Sequence, residues 1–235
     1  MLKISIIIPL YNEETFVRKQ IINLIQELNN FGFKNNYEIL LIENGSTDKT
    51  YRIIRELSKQ YNRLKVFRQH EPCYGLALKE GIKKAKYSNI VQFDIDFIDI
   101  SFLKKSLSLL EKFDIIIGSK LHSQSKDTRP KLRIIVTKMI YLFIRFIFNY
   151  QGTDTHGVKA YKKNRINKII KKVITTHHFF ETELILRAAK NNFKIIELPV
   201  NIKELRSTRF PTLIRLIESI KEMLLLIKLK KELTR

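Results

Sequence analysis

The chain has 235 residues, of which 44% are hydrophobic and 29% charged, so it contains enough apolar material for a folded core and is not intrinsically disordered. Its 44 Lys and Arg residues exceed its 23 Asp and Glu residues, and the net charge of +21 predicts an anionic partner: a nucleic acid, a phosphorylated substrate or an acidic membrane surface. The single cysteine, Cys73, excludes a disulfide framework and a cysteine zinc site and suits a reducing, cytoplasmic compartment.

The first 120 residues alternate short β-type runs with amphipathic helical stretches. The predicted strands are residues 4–9, 38–43, 64–68, 90–93 and 114–119. The predicted helices are residues 14–31, 49–61, 75–86 and 101–111. This alternation predicts an α/β fold with a doubly wound, mostly parallel sheet, which binds its ligands beyond the carboxyl ends of the strands.

The second half of the chain is less regular. Residues 120–131 are polar and basic and are predicted to be a mobile loop, and residues 152–161 a loop that enters a strand. The remaining predicted elements are helices at residues 132–149, 165–174, 181–192 and 211–231 and a strand at residues 194–204. Since there is no repeat and no Gly/Ser linker, we expect residues 1–210 and a terminal amphipathic helix, residues 211–235, to form one compact unit.

Two carboxylates lie where the fourth predicted strand ends. Asp94 and Asp96 are two residues apart, and in an extended segment such residues share one side. Mg²⁺ or Mn²⁺ bridged to a diphosphate needs only one or two protein carboxylates. The pair therefore predicts a metal-assisted diphosphate site, although the same pattern also occurs on solvated surfaces.

Other ligand-type residues follow the first, second and third strands. Tyr11 offers a ring face to a base, and Glu43 can accept from the imino group of uracil or guanine, or can stabilise its own turn. Gly75 opens a helix among small residues, which permits either close packing or backbone approach to a diphosphate. The sequence lacks the Walker lysine pattern and the G-x-G-x-x-G fingerprint, which excludes an NTPase P-loop and a dinucleotide site.

Eight short motifs carry a specific resemblance. They are PLYNEE, ENGSTD, GLALKEG, DIDFID, DIIIGSK, GTDTHGVKAY, FFETELILRA and KIIELPVNIKELRSTR. In this order they resemble family 2 glycosyltransferases of the GT-A fold, and are most similar to polyprenyl-phosphate sugar synthases of the dolichol-phosphate mannose synthase type. The resemblance implies a GT-A-like sheet flanked by helices, and inverting transfer of a sugar from a GDP- or UDP-sugar to a membrane acceptor.

The resemblance also implies roles for individual residues. The nucleoside would be held by Pro9, Tyr11, Glu13 and Glu43, and the diphosphate, through a divalent metal, by Asp94 and Asp96. Asp154 matches the acid of the family's D-x-x-x-G segment, and Glu181 and Glu183 match the acidic pair near the donor sugar. Arg206 and Arg209 match basic residues of a loop that closes over the substrate. Four positions depart from the family pattern: Glu43 and Asn44 replace an Asp-Asp pair, Ile98 replaces Gln and Lys120 replaces Arg.

The acceptor decides whether a general base is needed. A polyprenyl phosphate is already ionised and needs cations to hold it, for which Lys120 and Arg133 are the candidates. A sugar hydroxyl in a glycan acceptor needs a base, for which Asp154 and Glu181 are the candidates. Two other classes remain open: a basic nucleic-acid-binding protein, which lacks any helix-turn-helix, RNP or zinc signature here, and a sugar-phosphate nucleotidylyltransferase, whose glycine-arginine-rich loop is missing.

Two basic helices predict how the protein meets a membrane. No run reaches the roughly 20 apolar residues that span a bilayer, and nothing resembles a signal peptide. Residues 132–149 and the final helix instead combine apolar residues with Lys and Arg, as in helices that lie in the headgroup region. We therefore expect peripheral binding at the cytoplasmic face of a membrane. Alternatively, these helices pack on the sheet, on a separate membrane subunit or on a second copy of the chain.

Overall fold

The computed structural model describes residues 2–33, 36–202 and 212–234, with side chains described from residue 220 onward in the last range. Its centre is a seven-stranded sheet in the order β3-β2-β1-β4-β7-β5-β8. Strand β7 is antiparallel to its neighbours β4 and β5, and the other pairings are parallel. The predicted mostly parallel α/β sheet is therefore confirmed.

The strands are short and, in the middle of the sheet, buried on both faces. Their bounds are β1 Ile4–Leu10, β2 Tyr37–Asn44, β3 Leu64–Gln69, β4 Asn89–Gln92, β5 Ile115–Ser119, β7 Lys159–Lys162 and β8 Ile195–Pro199. A separate two-stranded ribbon pairs β6, Lys126–Asp127, with β9, Asn201–Ile202. Every residue of β1 and β2 is buried, as expected for strands covered by helices on both faces of a parallel sheet.

Helices cover both faces of the sheet, and the buried apolar residues form two clusters. The helices are α1 Val17–Asn30, α2 Thr50–Gln60, α3 Tyr74–Lys84, α4 Ile100–Leu109, α5 Lys131–Phe148, α6 Lys163–Ile166, α7 Phe180–Lys190, α8 Thr212–Lys228 and α9 Lys230–Leu233, with a 3-10 helix at Ile170–Lys172. Helices α1, α2 and α4 contribute to one cluster, and α3, α5, α6, α7, α8 and α9 to the other. Leu226 of α8 is completely buried in the second cluster, so α8 packs on the domain.

Four predicted elements in the second half were wrong in detail. The strand predicted at 194–204 is two strands, β8 and β9, which belong to different sheets, and residues 203–204 lie outside the described residues. The segment at 120–131 contains β6, whose two polar residues carry no alternating apolar signal. The segment predicted as one helix at 165–174 contains the end of α6 and the 3-10 helix. These two short helices bury Ile166 and Ile170, which are four residues apart, as they would be on one face of a single helix. The final helix is interrupted at Leu229. None of the described helices is both long enough and apolar enough to cross a membrane.

The strand order defines where a ligand can bind. From β1 the chain proceeds outward through β2 and β3 on one side and later through β4 on the other. The order therefore reverses between β1 and β4, and in open α/β sheets the binding crevice lies at this point, beyond the carboxyl ends of the strands. The D-x-D pair directly follows β4 and thus lies beside this crevice.

Candidate active site

The loops after β1 and β2 are joined by reciprocal hydrogen bonds at this edge of the sheet. Asn12 adopts a positive φ of 53°, and its side-chain oxygen accepts from the backbone N–H of Thr47 at 2.9 Å. Asp48 accepts from the N–H of Thr50 at 2.9 Å, which begins α2, and also from the N–H of Glu14 at 3.1 Å. The two loops therefore form one rigid wall of the crevice.

The residues predicted to hold the nucleoside lie along this wall. Pro9 is buried within β1, Tyr11 is half-buried directly after it, and Glu13 is buried. Glu43 is fully buried, and its two carboxylate oxygens accept from the backbone N–H of Ser46 and from Nε of Arg68. Glu43 thus stabilises the turn that follows β2, and its contact with a base stays a prediction.

The D-x-D pair lies in a tight turn, not in the extended segment that we predicted. The N–H of Phe97 donates to the carbonyl of Asp94 at 2.9 Å, so the strand ends before the two carboxylates. The two carboxylates nevertheless influence each other. Burial is the largest cause that raises the pKa of Asp94, to about 6, and the negative charges of Asp96 and Glu181 are the next causes. The hydroxyl of Tyr74 donates to Asp94 at 3.0 Å.

A buried polar network supports these carboxylates. Gln92, the last residue of β4, donates to Oε1 of Glu181 at 2.7 Å and accepts from the hydroxyl of Tyr161 at 2.8 Å. Lys159, which lies opposite Gln92 in β7, forms an ion pair with the same oxygen of Glu181. Burial lowers the pKa of Lys159, and Glu181 opposes that effect. Glu181 is therefore held next to the D-x-D pair by two partners.

The sequence interpretation missed Gln92, Lys159, Tyr161 and Tyr74. Gln92 interrupts an otherwise apolar run just before the D-x-D pair, and Lys159 interrupts an apolar strand. Both are polar residues at fully buried positions, and the polar groups of buried residues are normally hydrogen-bonded within the protein. The local sequence therefore indicated that each residue has a buried polar partner. It did not indicate that β7 inserts antiparallel beside β4, which brings the two residues together.

Asp154 and Lys120 form a second buried pair beside this network. Nζ of Lys120 lies 2.9 Å from Oδ2 of Asp154, and the exposed fractions of the two side chains are 9% and 4%. Burial would raise the pKa of Asp154, but Lys120 and the backbone N–H groups of His156 and Lys120 hold it below its ordinary value. Gly157 has φ +92°, and a Cβ there would lie 3.2 Å from Nζ of Lys120. Asp154 is therefore a weak base, and the charge of Lys120 is already neutralised.

Glu181 and Glu183 do not act as a pair. Glu183 is completely buried and accepts from the N–H of Thr175 at 2.8 Å and from Nε of Arg187 at 2.7 Å. Residues two apart on a helix do not face the same direction, so α7 presents Glu181 to the crevice and Glu183 to the preceding loop. Glu183 is therefore used to hold the preceding loop and Arg187, and its position near the donor sugar stays a prediction.

Gly75 is explained by close packing. A Cβ at Gly75 would lie 2.5 Å from both the Cβ of Phe180 and the carbonyl oxygen of Thr176. The N–H of Gly75 donates to that same carbonyl at 2.8 Å, so it is already used within the protein. We therefore leave Gly75 out of the proposed donor site.

The remaining predicted cationic residues are Arg133, a candidate for holding the acceptor phosphate, and Arg206 and Arg209 of the predicted closing loop. Arg133 is half-buried in the first turn of α5. Arg206 and Arg209 lie outside the described residues.

Among the residues described, no group of three or more His, Cys, Asp or Glu side chains is placed to hold a metal ion. A cation at Asp94 and Asp96 would therefore complete its coordination shell with oxygen atoms of the bound substrate or with water.

Helices α5 and α8 present apolar side chains to solvent. On α5 these are Leu132, Ile135, Val136, Met139, Leu142 and Phe146, and on α8 they are Ile220, Leu224 and Ile227. Phe146 is 78% exposed and Leu132 72%. Helix α5 also carries four Lys and Arg residues and no acid. An exposed apolar surface bordered by basic residues indicates an interaction surface.

The model of the glycosyl transferase family 2 matches residues 5–179 of the chain. A dolichyl-phosphate beta-glucosyltransferase from Dictyostelium discoideum is 28% identical over 223 residues, covering 88% of this chain and 68% of the relative. Glycosyltransferase AglD from Haloferax volcanii is 23% identical over 204 residues, covering 85% of this chain and 33% of the relative. The chain thus spans one third to about two thirds of the length of these relatives.

The fold is also similar to solved structures. Glucosyl-3-phosphoglycerate synthase from Mycobacterium tuberculosis, solved with uridine diphosphate, has a TM-score of 0.69 at 16% identity, covering 100% of this chain and 82% of that chain. The same enzyme solved with Mn²⁺, uridine diphosphate and glucosyl-3-phosphoglycerate has a TM-score of 0.68 at 17% identity, covering 96% and 80%.

The predicted family and fold are therefore confirmed, although the dolichyl-phosphate relative reported above is named for glucosyl, not mannosyl, transfer. The family match extends over most of the sheet and includes the D-x-D turn, Asp154 and the loop before α7. The chain belongs to glycosyl transferase family 2 and is a glycosyltransferase of the GT-A fold.

Proposed function

We propose that the protein transfers a sugar, with inversion, from a nucleotide diphosphate sugar to a polyprenyl phosphate at the cytoplasmic face of a membrane. The observation that carries this proposal is the carboxylate pair Asp94 and Asp96 at the β1–β4 switch point, with Glu181 held beside it. UDP-glucose is the first donor to test, because dolichyl-phosphate relatives are named as glucosyltransferases and the neighbouring structures contain uridine diphosphate.

Asp94 and Asp96 are the residues that would hold Mg²⁺ or Mn²⁺ against the diphosphate. Their chemistry fits a hard cation, because burial and the neighbouring carboxylates raise the pKa of Asp94, and a divalent ion would relieve that repulsion. When bound, the ion would stabilise the negative charge of the leaving nucleotide diphosphate. The hydroxyl of Tyr74 orients Asp94, and Gln92 and Lys159 orient Glu181 next to it.

The environment of the two candidate bases favours a phosphate acceptor. Lys120 and backbone N–H groups keep the pKa of Asp154 low, and Glu181 is bonded to Lys159 and Gln92. Asp154 therefore lacks the raised pKa that suits a general base near neutral pH, and the carboxylate of Glu181 is already occupied by its two partners. A phosphate acceptor is ionised already and needs no such base. Lys120, which is paired with Asp154, and Arg133, in the first turn of α5, are the two candidates for holding the acceptor phosphate.

The exposed faces of α5 and α8 support action at a membrane. A lipid acceptor presents its phosphate at the headgroup level, where a helix with apolar and basic residues can lie. Each basic residue near an anionic surface adds about 1 kcal/mol of attraction, and α5 carries four such residues without an acid. Arg133, in the first turn of this helix, would then lie near the phosphate group of a lipid acceptor.

A panel of donors and acceptors tests the proposal. UDP-glucose, UDP-galactose and GDP-mannose would each be incubated with Mg²⁺ or Mn²⁺ and with one of two acceptors, a polyprenyl phosphate in anionic vesicles or a sugar with only hydroxyl groups. We expect transfer from one donor type to the polyprenyl phosphate. Transfer only to the hydroxyl acceptor would contradict the proposed acceptor, and no transfer from any donor would contradict the proposal as a whole.

A further inference from the structure

The loop before α7 is held by a carboxylate from α8. Glu222 of α8 is 7% exposed. It accepts from the backbone N–H groups of Thr176 at 3.0 Å, His177 at 2.8 Å and Phe179 at 2.8 Å. Three N–H groups converging on one buried carboxylate form charge-assisted hydrogen bonds, which are stronger than neutral ones. The arrangement of this loop is therefore fixed by α8 and not only by its own helix.

One side of the loop leads to the D-x-D pair. The carbonyl of Thr176, whose N–H is held by Glu222, accepts from the N–H of Gly75 at 2.8 Å. Gly75 lies in the first turn of α3 next to Tyr74, whose hydroxyl donates to Asp94 at 3.0 Å. A displacement of Thr176 would therefore be passed to the residue that orients Asp94.

The other side of the loop leads to Glu181 and to the segment after Asp154. The carbonyl of His178 lies 2.9 Å from Nε2 of His156. Phe179, the third residue held by Glu222, directly precedes α7, and Glu181 is in the first turn of that helix. The loop thus contacts α3 on one side and the segment after Asp154 on the other, and one side chain of α8 holds it.

We propose that Glu222 is a positioning residue: it keeps α3 and α7 in register, so that Asp94 and Glu181 face the same donor diphosphate. This inference rests on the proposed function. The side chain of Glu222 does not itself touch the reacting atoms. The nucleoside wall, which is built from the loops after β1 and β2, is linked to the loop before α7 through Cys73, whose N–H donates to Asn44 at 2.6 Å and whose Sγ donates to the carbonyl of Thr176 at 2.8 Å. The hydrogen bonds that join the two loops of the wall to each other do not involve the loop before α7. Loss of Glu222 should therefore slow turnover without weakening recognition of the nucleoside.

The test compares the wild type with Glu222→Gln, Glu222→Asp and Glu232→Gln. Glutamine has one acceptor oxygen in place of the two of glutamate, and aspartate keeps a carboxylate on a shorter side chain. Glu232→Gln is the control for the loss of one negative charge near the same end of the chain, because the side chain of Glu232 is 63% exposed. For each protein, kcat, the affinity for the nucleoside monophosphate of the preferred donor, and amide hydrogen exchange at Gly75 would be measured well below the unfolding temperature.

We expect Glu222→Gln to lower kcat at least tenfold, to leave the monophosphate affinity within twofold of the wild type and to accelerate amide exchange at Gly75. Glu222→Asp should recover part of the lost kcat and of the exchange protection. Glu232→Gln should show none of these effects. Faster exchange confined to residues 176–179 with normal kcat would overturn the proposal, as would equal losses of kcat and monophosphate affinity. If the wild type transfers no sugar, the proposed function fails separately. Exchange at Gly75 then decides the inference, and unchanged exchange overturns it.

Discussion

Replacing Asp94 by Asn should stabilise the metal-free protein at neutral pH. Burial, Asp96 and Glu181 raise the pKa of Asp94 from its ordinary value of 3.8 to about 6. Between these two pH values the folded protein keeps a proton that the unfolded chain has lost, so the free energy of unfolding decreases as the pH rises. At about 1.4 kcal/mol for each pH unit, the ionised carboxylate costs the native state about 3 kcal/mol at pH 7.

The assay is urea unfolding in EDTA at several pH values. Relative to the wild type, we expect Asp94→Asn to gain about 1 kcal/mol at pH 4.5 and about 3 kcal/mol at pH 7. Asparagine keeps an oxygen that can accept from Tyr74, so the variant loses the charge and not the hydrogen bond. Added Mn²⁺ with a nucleotide diphosphate should stabilise the wild type and not the variant, because a ligand stabilises only the state that binds it.

Asp99→Asn is the matched control, because Asp99 is the N-cap of α4 and asparagine caps a helix about as well as aspartate. This control removes one carboxylate from the same segment and should not reproduce the pH-dependent gain. Parallel stability curves for the wild type and Asp94→Asn between pH 4.5 and 7 would refute the reasoning. A less stable Asp94→Asn protein at pH 7 would do the same.

Three further predictions follow from buried or exposed groups. Lys120→Met should destabilise the protein by about 3 kcal/mol at pH 7 in urea unfolding, because it leaves the charge of Asp154 buried without its cation. Part of this loss should be recovered at acid pH, where the carboxyl group takes up a proton. Glu43→Gln should lower nucleotide affinity at least tenfold by calorimetry, if the carboxylate accepts a charge-assisted bond from the base. Phe146→Ser should reduce flotation with anionic vesicles at low salt, because it removes a 78% exposed apolar side chain from α5.

Each of these predictions has a control or a contrary result. Lys112→Met changes an exposed lysine and should not affect stability beyond about 0.5 kcal/mol. Normal nucleotide affinity with reduced stability in Glu43→Gln would assign Glu43 to its turn alone. Phe31, which is 38% exposed after α1, supplies the control Phe31→Ser for the vesicle assay. Equal flotation of the wild type and both serine variants would contradict a membrane-binding role for α5.

The sequence predicted the first half of the fold well because its strands are unambiguous. β1 and β2 are buried along their whole length, so they appear as short continuous apolar runs, and amphipathic helices separate them. β7 could not be placed in the same way. It pairs with β4 and β5, which lie far from it in the chain, and no local pattern specifies an antiparallel insertion.

The site shows the same division between local and distant information. Asp94 and Asp96 were found because they stand together at a strand end. The separation of Glu181 from Glu183 could also have been predicted, since residues two apart on a helix face different directions. Lys159, Gln92 and Glu222 were missed because their partners are 22, 89 and 43 to 46 residues away. A buried charge is recognised only when the fold brings its partner to it.

The most direct test of the proposed reaction is transfer of radiolabelled sugar into lipid by the wild type and by Asp96→Asn. The label would be supplied on UDP-glucose or on the preferred donor from the panel, with Mn²⁺ and a polyprenyl phosphate in anionic vesicles. We predict label in the lipid fraction with the wild type, and at least a hundredfold less with Asp96→Asn or with excess EDTA. Equal transfer by Asp96→Asn, or label that stays in the aqueous phase with the wild type, would contradict the account.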